Sequence, residues 1–248
     1  MTNPSYPPLD TLKPVAPDLW IVDSILHHGL GPTLPIRMTV ARLPGGALWL
    51  HSPTPCTVPL RAELNRLGPV RHLVAPNIAH WTLLREWQSA YPDALTWSAP
   101  GLRERRQVRR SGLRLDRDLG NTPPESWGDA FEQVVVPGGL GFHEVAFHHR
   151  PSRTVILTDL VLNLEPQKLP WAERLALRLA GATAPDGRAP IYLRAVVRAG
   201  GAPARRAAAH ILSWSPERVL FTHGLPFERD ATAQLRRSLR WLLPVPGR

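Results

Sequence analysis

A single cysteine, Cys56, stands in 248 residues. One thiol excludes an internal disulfide and a cysteine-rich zinc site, and no recognisable nucleophile signature surrounds it. Lysine is almost absent. Only Lys13 and Lys168 occur, so nearly all of the 30 basic residues are arginine. No apolar run approaches the roughly 18 residues that a transmembrane helix needs. The opening MTNPSYPPLD has no basic region followed by an apolar stretch, and no Arg-rich amphipathic pattern. The expectation is a soluble cytoplasmic protein without a leader peptide or a membrane partner. Helix-turn-helix, RNA-recognition and zinc-finger signatures are missing, which makes nucleic acid an unlikely partner. Ser52 has no G-x-S-x-G elbow, and Gly138-Gly139-Leu140-Gly141 lacks the Gly-Lys-Ser/Thr ending of a phosphate loop.

Proline is abundant, at 28 residues, and hydrophobic residues make up 43% of the chain. Proline breaks helix interiors, so a long coiled coil or long-helix bundle is excluded. The apolar content is ordinary for a globular chain and suffices for a sizeable core. Net charge is +10. The excess gathers in Arg103–Arg117 and Arg194–Arg206, which read as solvated faces and bias a small-molecule substrate towards anions. The oligomeric state is not legible.

Apolar patterning gives an alternation of strands and helices. Strands are expected at Leu19–Leu26, Arg37–Leu43, Ala47–Leu50, Val70–Ala75 and Leu95–Ser98. Further strands are expected at Glu132–Val136, Glu144–His148, Thr154–Thr158 and Arg218–Thr222. Pro44-Gly45-Gly46 and Arg150–Arg153 read as hairpin turns. Helices are expected at Val58–Leu67, His80–Tyr91, Trp171–Leu179, Ala202–Trp214 and Ala231–Leu243, each with leucine or another apolar residue recurring on one face. Hairpins followed by strand–helix alternation argue for an α/β protein with mixed sheets. The chain reads as one domain over 1–248, with 1–17 a proline-rich extension lying over the surface.

One pattern carries chemistry. Four apolar strands run into a residue that can bind a metal or move a proton: His51 after LWL, Asn77 and His80 after LVAP, Asp159 after TVILT, and His223 after VLFT. Ligands collect beyond the carboxyl ends of strands in α/β sheets. Two imidazoles and a carboxylate form a metal face with open positions.

The motifs RMTVARL…ALWLHSP, LVAPN-x-x-H, HRPSRTVILTDL and VLFTHG, in this order from about Leu19 to Leu243, resemble the metallo-β-lactamase-fold superfamily. Within it they resemble a divergent branch of uncharacterised domains, DUF4336-like. The resemblance implies a four-layer αβ/βα sandwich of two mixed β-sheets. It also implies a metal site built from an early Asp, an HxHxDH run, a lone His, a bridging Asp and a final His. Here His51 takes the early position. The HxHxDH run aligns with Ala75–His80, where Ala75 and Asn77 replace the first two histidines and Ala79 the aspartate. Gly139 falls where the lone His belongs. His80, Asp159 and His223 remain. The resemblance therefore implies a depleted, at most mononuclear site holding one divalent metal, zinc or iron, through His80, Asp159 and His223. His51, Asn77 or Glu144 stands as a possible fourth ligand or supporting donor. Hydrolysis of an ester, amide or phosphoester by a metal-bound water is the activity implied. The alternative is a metal-free binding or scaffold protein that kept the fold.

The remaining candidates read as structural. His72 lies within a strand and His210 within a helix. His148 and His149, beside a hairpin turn, are expected to face solvent. His143 is expected at the surface. His27-His28 precede a glycine-rich loop and are placed at a pocket mouth. The nine tryptophans are expected in the core.

Overall fold

A computed structural model describes residues 5–27 and 33–243. Seven strands form the first sheet. They are β1 (Lys13–Ala16), β2 (Leu19–His27), β3 (Thr33–Arg42), β4 (Leu48–His51), β5 (Val70–Ala75), β6 (Leu95–Ser98) and β7 (Arg117–Asp118), in spatial order β1-β2-β3-β4-β5-β6-β7. The β1–β4 neighbours are antiparallel, and β4 through β7 run parallel. Four strands form the second sheet, in the order β11-β10-β9-β8: β8 (Phe131–Pro137), β9 (His143–His149), β10 (Thr154–Ile156) and β11 (Arg218–Leu220). There β8–β9 and β9–β10 are antiparallel, and β10–β11 is parallel. Part of the proline-rich extension is thus the edge strand β1.

The parallel connections require crossovers, and helices supply them. Helix α1 (Val58–Leu67) is stopped cleanly at both ends. The Thr57 hydroxyl accepts the Leu60 N–H at 3.3 Å, Pro59 suits the first turn, and Gly68-Pro69 follows the last. Helices α2 (Leu84–Ala90) and α3 (Arg106–Ser111) complete this side. Leu60, Leu64, Trp87 and Val108 pack on Val22, Met38, Val40, Leu50 and Leu73 of the first sheet. On the second sheet lie α5 (Ile191–Arg198), α6 (Gly201–Ser213) and α7 (Ala231–Leu239). Their Leu193, Val197, Ala204, Ile211 and Leu235 meet Val136, Ala146, Val155 and Val219.

A third cluster lies between the sheets. Leu19, Trp49, Val74 and Trp97 of the first sheet face Phe131, Val145, Phe147, Ile156 and Leu220 of the second. Each fully buried phenylalanine here contributes on the order of 1.5–3 kcal/mol. Helices outside two mutually packed mixed sheets make the four-layer αβ/βα sandwich.

Several elements differ from expectation for local reasons. Helix α2 starts at Leu84 rather than His80. The Asn77 side-chain oxygen accepts the Ala79 and His80 N–H groups at 2.9 and 3.0 Å, and this holds a turn where the helix would begin. Strands β10 and β11 end two residues early, because the chain turns there into the loops carrying Asp159 and His223. Helix α5 runs into the Arg194–Arg206 stretch, which reads mainly as basic.

His148 and His149 are buried, not solvent-facing. Both faces of β9 are covered, so successive residues are both enclosed. His148 stacks on Trp214 at 5.4 Å on the helical side, and His149 lies against Phe131 at 5.0 Å between the sheets. Trp49, Trp87, Trp97, Trp127 and Trp214 are core residues, while Trp171 is exposed. Among the described residues no helix is long and apolar enough to cross a membrane.

Candidate metal centre

Three of the four strand ends converge. His80 follows β5, Asp159 follows β10 and His223 follows β11, so the first sheet supplies one residue and the second sheet two. One ligand atom from each lies within 4.8 Å of the others. His80 Nε2 and His223 Nε2 both lie 3.3 Å from Asp159 Oδ1. The two rings stand 5.2 Å apart, centre to centre.

Each of these side chains is held from behind. The Pro35 carbonyl of β3 lies 2.8 Å from His223 Nδ1. A carbonyl only accepts, so Nδ1 carries a proton and Nε2 faces the centre. Ser52 Oγ lies 2.8 Å from His80 Nδ1. Ser52 holds the left-handed conformation, φ +53°, uncommon for a residue with a Cβ. The Asn77 amide donates to Asp159 Oδ2 at 2.7 Å.

Glu144 is fully buried behind the Asp159 turn. Its carboxylate accepts the N–H groups of Thr158 and Asp159 at 2.8 Å each, and of Leu160 at 3.2 Å. Burial pushes its pKa up to about 7, and the neighbouring Asp159 charge adds to this while the three N–H groups oppose it. Its role is to fix the turn that presents Asp159.

Burial works against the Asp159 charge, but His80 and His223 outweigh it and hold this carboxyl well below its usual range. For His223 burial favours the neutral ring, yet the Asp159 carboxylate draws its pKa upward. The centre is therefore one anion between two imidazoles.

His51 does not join the cluster. Its ring is sandwiched against Trp49 at 5.4 Å and edge-on to Phe147 at 5.5 Å. Burial lowers its pKa to about 3, and the neighbouring His80 contributes in the same direction. Asn77 and Glu144 act through Asp159, as just described. His143, the first residue of β9, is half-buried and lines a shallow pocket with His210 and Arg206. His72 accepts from the Trp97 indole at 3.2 Å in the core. His210 is an exposed helix residue packed edge-on to Trp214. His28 lies outside the described residues, as does the side chain of His27.

At the positions where the resemblance implies further ligands, the chain packs otherwise. Ala75 is buried in the cluster beneath α1 and α2. A Cβ on Gly139 would meet the Ala199 Cβ at 2.9 Å, and the Gly139 N–H donates to the Val196 carbonyl at 2.7 Å. The end of α5 occupies the space a histidine would need.

The deciding comparison is with protein families. The family model for a domain of unknown function, DUF4336, matches residues 18–184. The chain belongs to the DUF4336 family. No curated protein matches it in sequence. Among solved structures, this DUF4336 chain is similar to a metallo-beta-lactamase from Pontibacter korlensis, at 13% identity and TM-score 0.63, covering 94% of this chain and 98% of the other. It is also similar to the DIM-1 metallo-beta-lactamase exposed to ceftazidime, at 16% identity and TM-score 0.61, over 94% and 95% of the two chains. A third is the metallo-beta-lactamase FIM-1 from Pseudomonas aeruginosa in its mono-zinc form, at 13% identity and TM-score 0.56, over 94% and 96%. At these identities the shared property is the metallo-β-lactamase fold.

Two site residues of this DUF4336 chain carried no sequence signal. Arg37, on β3, pairs with buried Asp23 at 2.7 Å and donates to the carbonyls of Phe221 and Gly224 at 3.0 and 2.8 Å. It thereby clamps the His223 loop onto the first sheet. Gly224 has φ +102°, and a Cβ there would meet the Asn163 backbone at 2.3 Å. Only glycine lets the loop pass so close. The other residue is Tyr192, in the first turn of α5, which lines the cavity over the centre. That cavity is about 400 Å³ and holds His80, Asp159 and His223 among Leu26, Leu34, Ile78, Leu83, Phe142 and Leu162.

Proposed function

We propose that His80, Asp159 and His223 hold one divalent ion, zinc or iron, and that the protein is a metal-dependent hydrolase of small molecules. The observation that carries this reading is the state of His223. It is buried, its Nδ1 faces a carbonyl, and its Nε2 faces a carboxylate oxygen at 3.3 Å. A neutral imidazole cannot donate to both acceptors. A cation seated between Nε2 and Asp159 resolves the conflict. Donor atoms around a tetrahedral zinc with bonds of about 2.0–2.1 Å are themselves about 3.3 Å apart, the spacing of both histidines from Asp159. The backing of each histidine by Ser52 or Pro35 is the second layer that metal-binding imidazoles need.

When bound, such an ion supplies Lewis acidity and makes water nucleophilic near neutral pH. The protein's own residues supply the rest. Asp159 contributes the negative charge, and Asn77 and Glu144 hold it in place. Ala79 stands where the resemblance to the metallo-β-lactamase-fold superfamily implies an aspartate, so no side chain there takes up a proton. Among the described residues no arginine or lysine lines the cavity. Its apolar walls suit an ester or amide with an apolar body better than a phosphoester, despite the net positive charge of the chain.

A metal-free reading has its own support. A second proton on His223 would equally satisfy both acceptors, and the Asn77 amide already covers Asp159 Oδ2. The protein would then be a binding scaffold. Metal analysis separates the two. After purification without a metal-affinity tag and dialysis against trace zinc or iron, about one ion per chain is expected, lost in His80→Ala and His223→Ala. A folded parent protein holding less than about 0.1 ion per chain would overturn the metal reading.

A further inference from the structure

The helix α4 (Trp171–Ala180) is amphipathic the wrong way round for a water-soluble fold. Trp171, Leu175 and Leu179 recur every fourth residue and share one face. The sequence pattern expects that face to pack inward. Instead it is open: Trp171 is 81%, Leu175 59% and Leu179 77% exposed. Leu177, on another side of the helix, is half-buried. The face continues into the next helix. The Arg194 guanidinium on α5 donates to the Ala180 carbonyl at 3.1 Å, which sets the end of α4 beside α5. Ile191 and Tyr192 in the first turn of α5 are also exposed, at 65% and 71%.

The charge around this face identifies its occupant. Arg174 and Arg178 sit one residue before Leu175 and Leu179, along the edge of the apolar stripe. Of the basic residues from Lys168 to Arg198, Arg174, Arg178 and Arg198 are exposed, Arg188 and Arg194 are half-buried and Lys168 is paired with Glu165; the same stretch has two acidic residues. One of the acids, Asp186, is paired with Arg237 at 2.9 Å. A second copy of the chain would bring these arginines against their own kind, in molecules that each carry +10. An anionic surface meets them favourably. Leucines, a terminal tryptophan and bordering arginines on a ten-residue helix are the composition of a segment lying in a membrane interface. At ten residues it is far too short to span.

We propose that the face formed by α4 and the first turn of α5 rests on an anionic lipid bilayer. Tyr192 belongs both to this face and to the lining of the cavity over His80, Asp159 and His223. The rim of the cavity therefore lies at the docked side. The docking does not depend on an ion at that centre, and His223→Ala binds vesicles like the parent.

Flotation of the full chain with vesicles is the test. Phosphatidylcholine vesicles containing about 30 mol % phosphatidylserine are compared with pure phosphatidylcholine. The chain floats with the anionic vesicles and much less with the neutral ones. The double variant Leu175→Glu/Leu179→Glu lowers the partition coefficient at least about tenfold, since it removes two apolar side chains and adds two negative charges. Both positions are exposed, and circular dichroism checks that the fold is kept. Leu179→Ser alone, in the last turn, gives a smaller loss and stands in if the double variant does not fold. Three results overturn the proposal. One is a parent chain that stays in solution with both kinds of vesicle. Another is a double variant that floats as well as the parent, which would transfer the binding to other arginines. The third is a parent dimer in sedimentation that the double variant dissociates, which would make the face a contact between copies.

Discussion

Ser52 Oγ lies 2.8 Å from Nδ1 of His80, and Ser52 adopts a left-handed backbone to reach it. The hydroxyl fixes the plane of the ring and leaves Nε2 directed at Asp159. Ser52→Ala removes that support at a position the apolar sequence pattern does not mark. The expected result is a metal affinity about 10–100-fold weaker with the fold intact. Competition against a chromophoric chelator measures it. An unchanged affinity would show that His80 is oriented by packing alone.

Glu144 offers a second handle, on Asp159. Its carboxylate takes three backbone N–H groups of the turn. Glu144→Leu keeps the bulk and strands those donors in a buried site. A loss of about 2–4 kcal/mol in urea unfolding is expected, because several buried groups lose their partners together. Metal content should fall with it, as the Asp159 turn loosens.

Arg37 is buried on Asp23 and ties the His223 loop to the first sheet. Arg37→Met removes the buried guanidinium from Asp23, which keeps Lys13 as its remaining cationic partner. A destabilisation of about 1–3 kcal/mol is expected from the lost charge-assisted hydrogen bonds. The double variant Arg37→Met/Asp23→Leu should recover part of it, and chemical denaturation of the three proteins tests this.

Stability should also depend on pH through histidines away from the centre. Burial lowers both His72 and His149 to about 4; Arg71 adds to the effect at the first and His148 at the second. Unfolded, each histidine titrates near pH 6.5. Between those values the unfolded chain binds more protons, so stability is full above about pH 6.5 and falls as pH drops towards 4. The variant His72→Gln should show a shallower decline over this window in thermal unfolding followed from pH 7 to pH 4. An identical slope would exclude His72 as a source of acid sensitivity.

The sequence made the framework legible where local chemistry and tertiary packing agree. Helix α1 and strands β5 and β6 fall where the pattern puts them, because Thr57, Gly68-Pro69 and Pro100-Gly101 punctuate the chain there. The histidines and aspartate of the centre were legible as candidates too, since each lies within five residues beyond an apolar strand. What held them was not. Pro35 and Arg37 lie nearly 190 residues from His223, and their part is a carbonyl and a guanidinium brought across by the sandwich. Helix α3 buries little beyond Val108, which is too weak a period to stand out in an arginine run. His148 and His149 read as solvent-facing because a hairpin turn adjoins them, whereas both are residues of β9, whose two faces are covered.

The three centre residues are divided between the two sheets, and Arg37 crosses the same gap. Anything seated among them adds to the polar ties that already join the two halves, from Asn77 to Asp159, from His223 to Pro35 and from Val145 to Pro76. Occupancy would then be felt by the whole molecule rather than by a few loops. Parting the sheets would release the occupant and the fold in a single event, so retention of an ion and resistance to unfolding become two readings of one equilibrium.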